Sequence, residues 1–121
     1  MISFVIIGFG NIGERHALHI SAHEDAYLRG CYDIKKERRD LFHIQYPDAI
    51  VYQSLEEALK DETVDIVSIC TPNHTHTEIV LASLQAGKHV LVEKPMAIKK
   101  LDCENMIHMA LKTGKNLFVV K

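Results

Sequence analysis

Strand-like and helix-like patterns alternate along the whole chain, and that alternation narrows the folds open to it more than any other feature. Strand-like runs fall near residues 2–7, 27–33, 49–52, 64–70, 88–92 and 116–120, and helical patterns fill the gaps near 12–23, 35–45, 55–61, 75–86 and 99–113. Runs such as Val64-Asp65-Ile66-Val67-Ser68-Ile69 and His89-Val90-Leu91-Val92 are rich in β-branched, apolar residues, as strands covered on both faces are. Strands joined by crossover helices lie parallel. The expectation is one α/β domain over residues 1–121: a doubly wound, Rossmann-type parallel sheet with helices on both faces. Gly87 and Gly114 follow the fourth and fifth helical patterns, where a left-handed cap is wanted.

Apolar residues make up 47% of the 121, enough for a packed core. No apolar run approaches the roughly 20 residues of a membrane span, and the chain enters its first strand with no basic segment or cleavage site before it. Neither a membrane nor a secretory route is expected, and the cytoplasm is the expected location. A net charge of −2 leaves no basic patch to track phosphates, so nucleic acid is not an expected partner. Cys31, Cys70 and Cys103 are odd in number and widely spaced, which fits neither a disulfide framework nor a zinc pattern. Cys31 and Cys70 fall in strand runs. Cys103 shares a helical stripe with Met106, Ile107, Ala110 and Leu111, so inert core thiols in a reducing compartment are expected.

The first strand runs directly into Gly8-Phe9-Gly10-Asn11-Ile12-Gly13, which opens the first helix. Short glycine patterns arise by chance, but this one has the strand before it and the helix after it. Gly8 would make the tight turn, Gly10 would let the backbone approach a pyrophosphate, and Gly13 would let the helix pack closely. Free N–H groups at the helix start would then face the phosphates. Asp33 closes the second strand about 20 residues on, where an acidic side chain accepts from both ribose hydroxyls and repels a 2′-phosphate. The expected cofactor is therefore NAD rather than NADP. Lys35 and Lys36 stand close enough to offset that preference in part, although a solvated first turn is the better account of them.

Two further segments leave strands at the same end of the sheet, where ligands of open α/β folds sit. Cys70-Thr71-Pro72-Asn73-His74-Thr75-His76 follows the fourth strand, and Glu93-Lys94-Pro95 follows the fifth. Pro72 stiffens its turn, and Asn73 or Thr75 can cap the next helix. His74 and His76 have no third ligand at a suggestive spacing, so a polar helix start is expected and no metal. His16, His19 and His23 run along the first helix, as on an exposed or half-buried flank.

The set Gly8-x-Gly10-x-x-Gly13-x-x-His16, Thr71-Pro72-Asn73-x-x-His76 and Glu93-Lys94-Pro95 resembles the glucose–fructose oxidoreductase, inositol dehydrogenase and rhizopine-catabolism (Gfo/Idh/MocA) family across essentially the whole chain. The resemblance implies an NAD-dependent oxidoreductase of a sugar, cyclitol or nucleotide-sugar hydroxyl. It implies that Gly8 to Gly13 hold the pyrophosphate and Asp33 the adenosine ribose. Thr71, Pro72, Asn73 and His76 would flank the cofactor, with Asn73 and His76 toward its nicotinamide half. Glu93 would lie near the nicotinamide ribose, and Lys94 would be the catalytic lysine, its bond to Pro95 often cis. Removing a hydride from a carbinol carbon requires the hydroxyl proton to leave, which suits a lysine near a cationic ring.

Family members carry a second α/β domain that holds most substrate contacts and commonly the oligomer interface. The sixth strand runs into Lys121 with no turn or tail, so the chain reads as a cofactor domain alone, inactive by itself, from a homo-oligomeric whole. The ending Lys115-Asn116-Leu117-Phe118-Val119-Val120-Lys121 resembles members acting on nucleotide-activated sugars. The competing reading is a Rossmann module that binds or senses NAD without redox chemistry, for which a positioned Lys94 would have no use.

Overall fold

The computed structural model describes residues 1–120; the expectation attached to Lys121 lies outside them. Six strands form one sheet in the order β3-β2-β1-β4-β5-β6, with every neighbouring pair parallel. They are β1 (Ile2–Ile7), β2 (Ala26–Tyr32), β3 (Ile50–Val51), β4 (Ile66–Ile69), β5 (His89–Glu93) and β6 (Leu117–Val120). The helices are α1 (Asn11–Ala22), α2 (Lys36–Gln45), α3 (Leu55–Lys60), α4 (His76–Gln85) and α5 (Lys100–Thr113), with a single 3₁₀ turn at Asn73–Thr75 before α4. The doubly wound arrangement is the expected one.

Two apolar layers flank the sheet. Ile6, Phe9, Ala17, Ile20, Leu28 and Phe42 fill the layer under α1 and α2. Val5, Ile7, Val67, Val80, Leu84 and Met106 anchor the layer on the other side. Consecutive residues Val5, Ile6 and Ile7 thus feed both layers, so β1 reads as a continuous apolar run and not as an alternation. Chain order reverses direction between β1 and β4, which leaves a crevice at their carboxyl ends. Gly114 ends α5 with φ +71°, and Gly87 follows α4 with φ +81°, both left-handed as expected.

One expectation about packing needs correction. Met106 is fully buried and Met109 and Ala110 pack beside it, but Ile107 and Leu111 are 50% and 79% exposed. The covered arc of α5 centres on buried Met106, with Cys103, Met109, Ala110 and Thr113 half-buried around it. The helix lies at the sheet's edge with α4 on one flank, so only that side of a broad apolar stripe is covered.

Candidate dinucleotide-binding site

The chain leaves β1 through Gly8, whose φ of +97° disfavours any side chain, and whose N–H donates to the Tyr32 carbonyl at 2.8 Å. Gly10 is the N-cap of α1, and no side chain caps that helix. The first helical bond runs from Glu14 N–H to Gly10 O at 2.9 Å. Among the described residues the N–H groups of Asn11, Ile12 and Gly13 therefore lack a protein acceptor. They present partial positive charge to the crevice. A Cβ on Gly13 would lie 2.0 Å from Gly8 O, so turn and helix meet backbone to backbone. A Cβ on Gly10 would lie 2.6 Å from Arg38 Nη1, which places a guanidinium over the same turn. Free N–H groups and a cation on one small surface suit a pyrophosphate.

Asp33 is 6% exposed and closes β2. Its Oδ2 accepts from Phe9 N–H at 2.7 Å and its Oδ1 from Lys35 N–H at 2.8 Å. The carboxylate thereby staples the glycine turn to the start of α2. Each oxygen keeps a lone pair for a ribose hydroxyl. Phe9 contributes backbone only, since its ring is buried edge-on against Phe42 with centroids 5.1 Å apart. Asp33, Lys35 and Arg38 line a cavity of about 440 Å³ together with Gly8, Thr71 and Pro72. Of the two lysines singled out from sequence, Lys36 turns away to pair with Asp40 at 2.9 Å. Arg38, which no motif in the sequence marks, is the second cation at this end. A larger, open groove of about 560 Å³ lies at the strands' amino ends around Ala22, Tyr46 and Pro47 and holds none of the motif residues.

At the end of β4 the Thr75 hydroxyl turns back to within 2.6 Å of both Thr71 Oγ1 and Pro72 O. Thr75 stands at the N-cap of α4, one of the two positions expected, but its hydroxyl closes its own turn and makes no capping hydrogen bond. Asn73 and His74 are exposed. His76 is fully buried, with Nδ1 2.9 Å from Pro95 O and Nε2 3.0 Å from Thr71 O. Its ring joins the two loops and does not face the crevice. Lys94 is exposed, in no ion pair among the described residues, and its bond to Pro95 is cis.

Glu93 ends β5 with His16 of α1 beside it: His16 Nε2 lies 3.7 Å from Glu93 Oε1, and Nδ1 lies 2.5 Å from Ser68 Oγ. Burial pulls the His16 pKa below its ordinary 6.5, Glu93 opposes that shift, and His19 adds to it. Ser68, His16 and Glu93 are the residue types of a hydrolytic triad, yet Ser68 is fully buried and no substrate can reach it. Cys70 falls one residue beyond β4 and is half-buried; burial pushes its thiol up to about 12. Cys31 is fully buried and shifted the same way. Both are poor nucleophiles. Among the described residues no group of three His, Cys, Asp or Glu side chains could hold a metal ion.

A parallel sheet that opens at its switch point, with an uncapped helix aimed into the opening, makes this a dinucleotide-binding domain of the Rossmann class. The model of the GFO/IDH/MocA oxidoreductase family, described as an NAD-binding Rossmann fold, matches residues 2–121, and the chain belongs to that family. It is 33% identical over 113 residues to myo-inositol 2-dehydrogenase of Thermotoga maritima, covering 93% of this chain and 34% of that protein. Among solved structures it superposes on GenD2 of gentamicin A biosynthesis in complex with NAD, with TM-score 0.93 and 30% identity, covering 98% of this chain and 34% of that one. It also matches biliverdin reductase of Synechocystis in complex with biliverdin and NADP+, with TM-score 0.92 and 28% identity, covering 98% and 37%. The chain thus spans about a third of the length of these relatives. It is an NAD(P)-binding Rossmann domain. No helix among the described residues is long and apolar enough to cross a membrane.

Proposed function

We propose that this chain is the cofactor-binding part of an NAD-dependent dehydrogenase acting on a hydroxyl of a sugar, cyclitol or nucleotide-sugar. One observation carries the reading: the glycine turn, Asp33 and the Glu93-Lys94-Pro95 turn all open at the carboxyl end of one parallel sheet. NAD is favoured over NADP because Asp33 is buried at the end of β2, where a 2′-phosphate would meet its carboxylate. Lys35 and Arg38 on the same cavity wall soften that preference.

The backbone N–H groups of Asn11, Ile12 and Gly13 would hold the pyrophosphate, and Asp33 the adenosine ribose. A nicotinamide cofactor held there would supply the hydride acceptor, or in reverse the donor. Lys94 would take the hydroxyl proton as a carbinol is oxidised and return it to the carbonyl oxygen in reverse. Thr71, Pro72 and Asn73 would wall the cofactor on the β4 side, with His76 holding that wall to Pro95. Substrate contacts and a homo-oligomer interface are assigned to a further domain, the working location to the cytoplasm, and the partners to small molecules and not to nucleic acid or membranes.

Calorimetric titration with NAD, NADH and NADP, beside Asp33→Ala, tests the reading. NAD binding that weakens in the variant supports it; a folded chain that binds none of the three refutes it. In the complete enzyme, Lys94→Ala should keep NAD affinity and lose turnover. Near-normal turnover would leave a binding or sensing module whose lysine is only a surface residue.

A further inference from the structure

His16 is the one letter of the glycine motif that the cofactor reading leaves without a task. It sits one turn into α1, yet its ring reaches past β4 to the end of β5. Its side chain is 14% exposed and that of Glu93 22%, so the contact lies in a partly dry seam. From β4 the ring meets Ser68 at 2.5 Å, with Cys70 Sγ 3.9 Å beyond that hydroxyl; from β5 it meets Glu93; on α1 the nearest titratable neighbour is His19.

At 3.7 Å the His16–Glu93 contact is electrostatic and longer than a direct hydrogen bond; a carboxylate favours the ring N–H on the side that faces it, which is Nε2. Nδ1 of the neutral ring then accepts from the Ser68 hydroxyl, which the Cys70 thiol can supply in turn. The donors run one way, from Cys70 through Ser68 to His16, whose Nε2 then faces Glu93 across an electrostatic contact of 3.7 Å. Ser68 is fully buried on the rigid β4 strand, so it fixes the ring plane and aims Nε2 at Glu93.

We propose that His16 is a positioning residue: anchored by Ser68, it holds the Glu93 carboxylate, and with it the Lys94–Pro95 turn, in register with the glycine turn that opens its own helix. One helix then carries the phosphate-facing N–H groups at its first turn and the clamp for the reactive end at its second. The proposal rests on the dinucleotide reading and assigns a role to a side chain that need not touch the cofactor.

The test compares NAD with ADP-ribose, which has the same adenosine and pyrophosphate but no nicotinamide, by calorimetry on this chain. His16→Ala should weaken NAD about five- to tenfold while ADP-ribose changes by less than about twofold, as loss of one charge-assisted contact implies. Glu93→Ala should show the same pattern, and the double variant should bind no worse than Glu93→Ala alone, since His16 acts through Glu93. His16→Gln, which still presents an N–H toward Glu93, should recover most of the loss. Should the alanine variant unfold, His16→Met fills the space without a donor and carries the same comparison. Equal weakening of both ligands, or full additivity with Glu93→Ala, would overturn the proposal and leave NAD binding intact. A wild-type chain that binds neither ligand would instead bring down the dinucleotide reading, and this inference with it.

Discussion

Asp33→Asn should destabilise the chain even when no cofactor is present. A ribose ligand that did nothing else would be expendable in the free protein, because burying a carboxylate costs free energy. Asp33 is 6% exposed and holds two backbone donors, Phe9 N–H at 2.7 Å and Lys35 N–H at 2.8 Å, one on each oxygen. Asparagine is almost the same size but has a single carbonyl oxygen. One donor keeps its acceptor; the other faces an NH2 group. A hydrogen bond to a charged group contributes about 1.5–3 kcal/mol, and an orphaned buried N–H costs a similar amount. A loss of about 2–3 kcal/mol follows, which for a domain of this size lowers Tm by roughly 10 °C. Thermal unfolding followed by circular dichroism, without added nucleotide, reads it directly. A variant melting within about 1 °C of wild type would refute the stapling argument and leave Asp33 a cofactor contact only.

Gly13→Ala should cost about 3 kcal/mol or more, because its new methyl would stand 2.0 Å from Gly8 O and neither backbone can retreat without opening the turn; unchanged Tm and NAD affinity would contradict it. Tyr52→Phe should cost about 1–2 kcal/mol in urea unfolding, since the Tyr52 hydroxyl lies 2.5 Å from Asp61 Oδ2. Burial works to raise the Asp61 pKa, but hydrogen bonds from Thr63, Tyr52 and Arg29 outweigh it and hold the carboxyl well below its usual 3.8. The stability Asp61 adds is therefore full above about pH 4 and is lost as pH falls below that, and Asp61→Asn should flatten the acid limb of the stability curve. His16 has the opposite charge logic: its pKa is lowered from 6.5, so the unfolded chain binds the proton first. Stability should be held above about pH 6.5 and fall below it, with a shallower slope in His16→Gln between pH 7 and 5.

Much of the architecture was legible because its signals are local. Apolar strand runs, helical spacing and a glycine triplet at a strand's end each lie within a dozen or so neighbouring residues, and the sheet they imply is the one observed. The α5 stripe misled for the same reason. Met106 with Met109 and Ile107 with Leu111 are both apolar rows on one helix, and only the neighbour α4 decides which is covered. Arg38 and His16 escaped a role because their partners come from other elements: the glycine turn for Arg38, and two strand ends for His16. Asp33 reads from the sequence as a ligand for ribose, since its position is legible there and its hydrogen bonds are not. The structure shows why that position needs a carboxylate before any ligand arrives. Phe9 N–H and Lys35 N–H leave the ends of two different strands, and only a two-oxygen acceptor between them satisfies both. A residue that holds the site together is also the one placed to hold a ribose, so the sequence pattern of the binding site is in part the pattern of its scaffold.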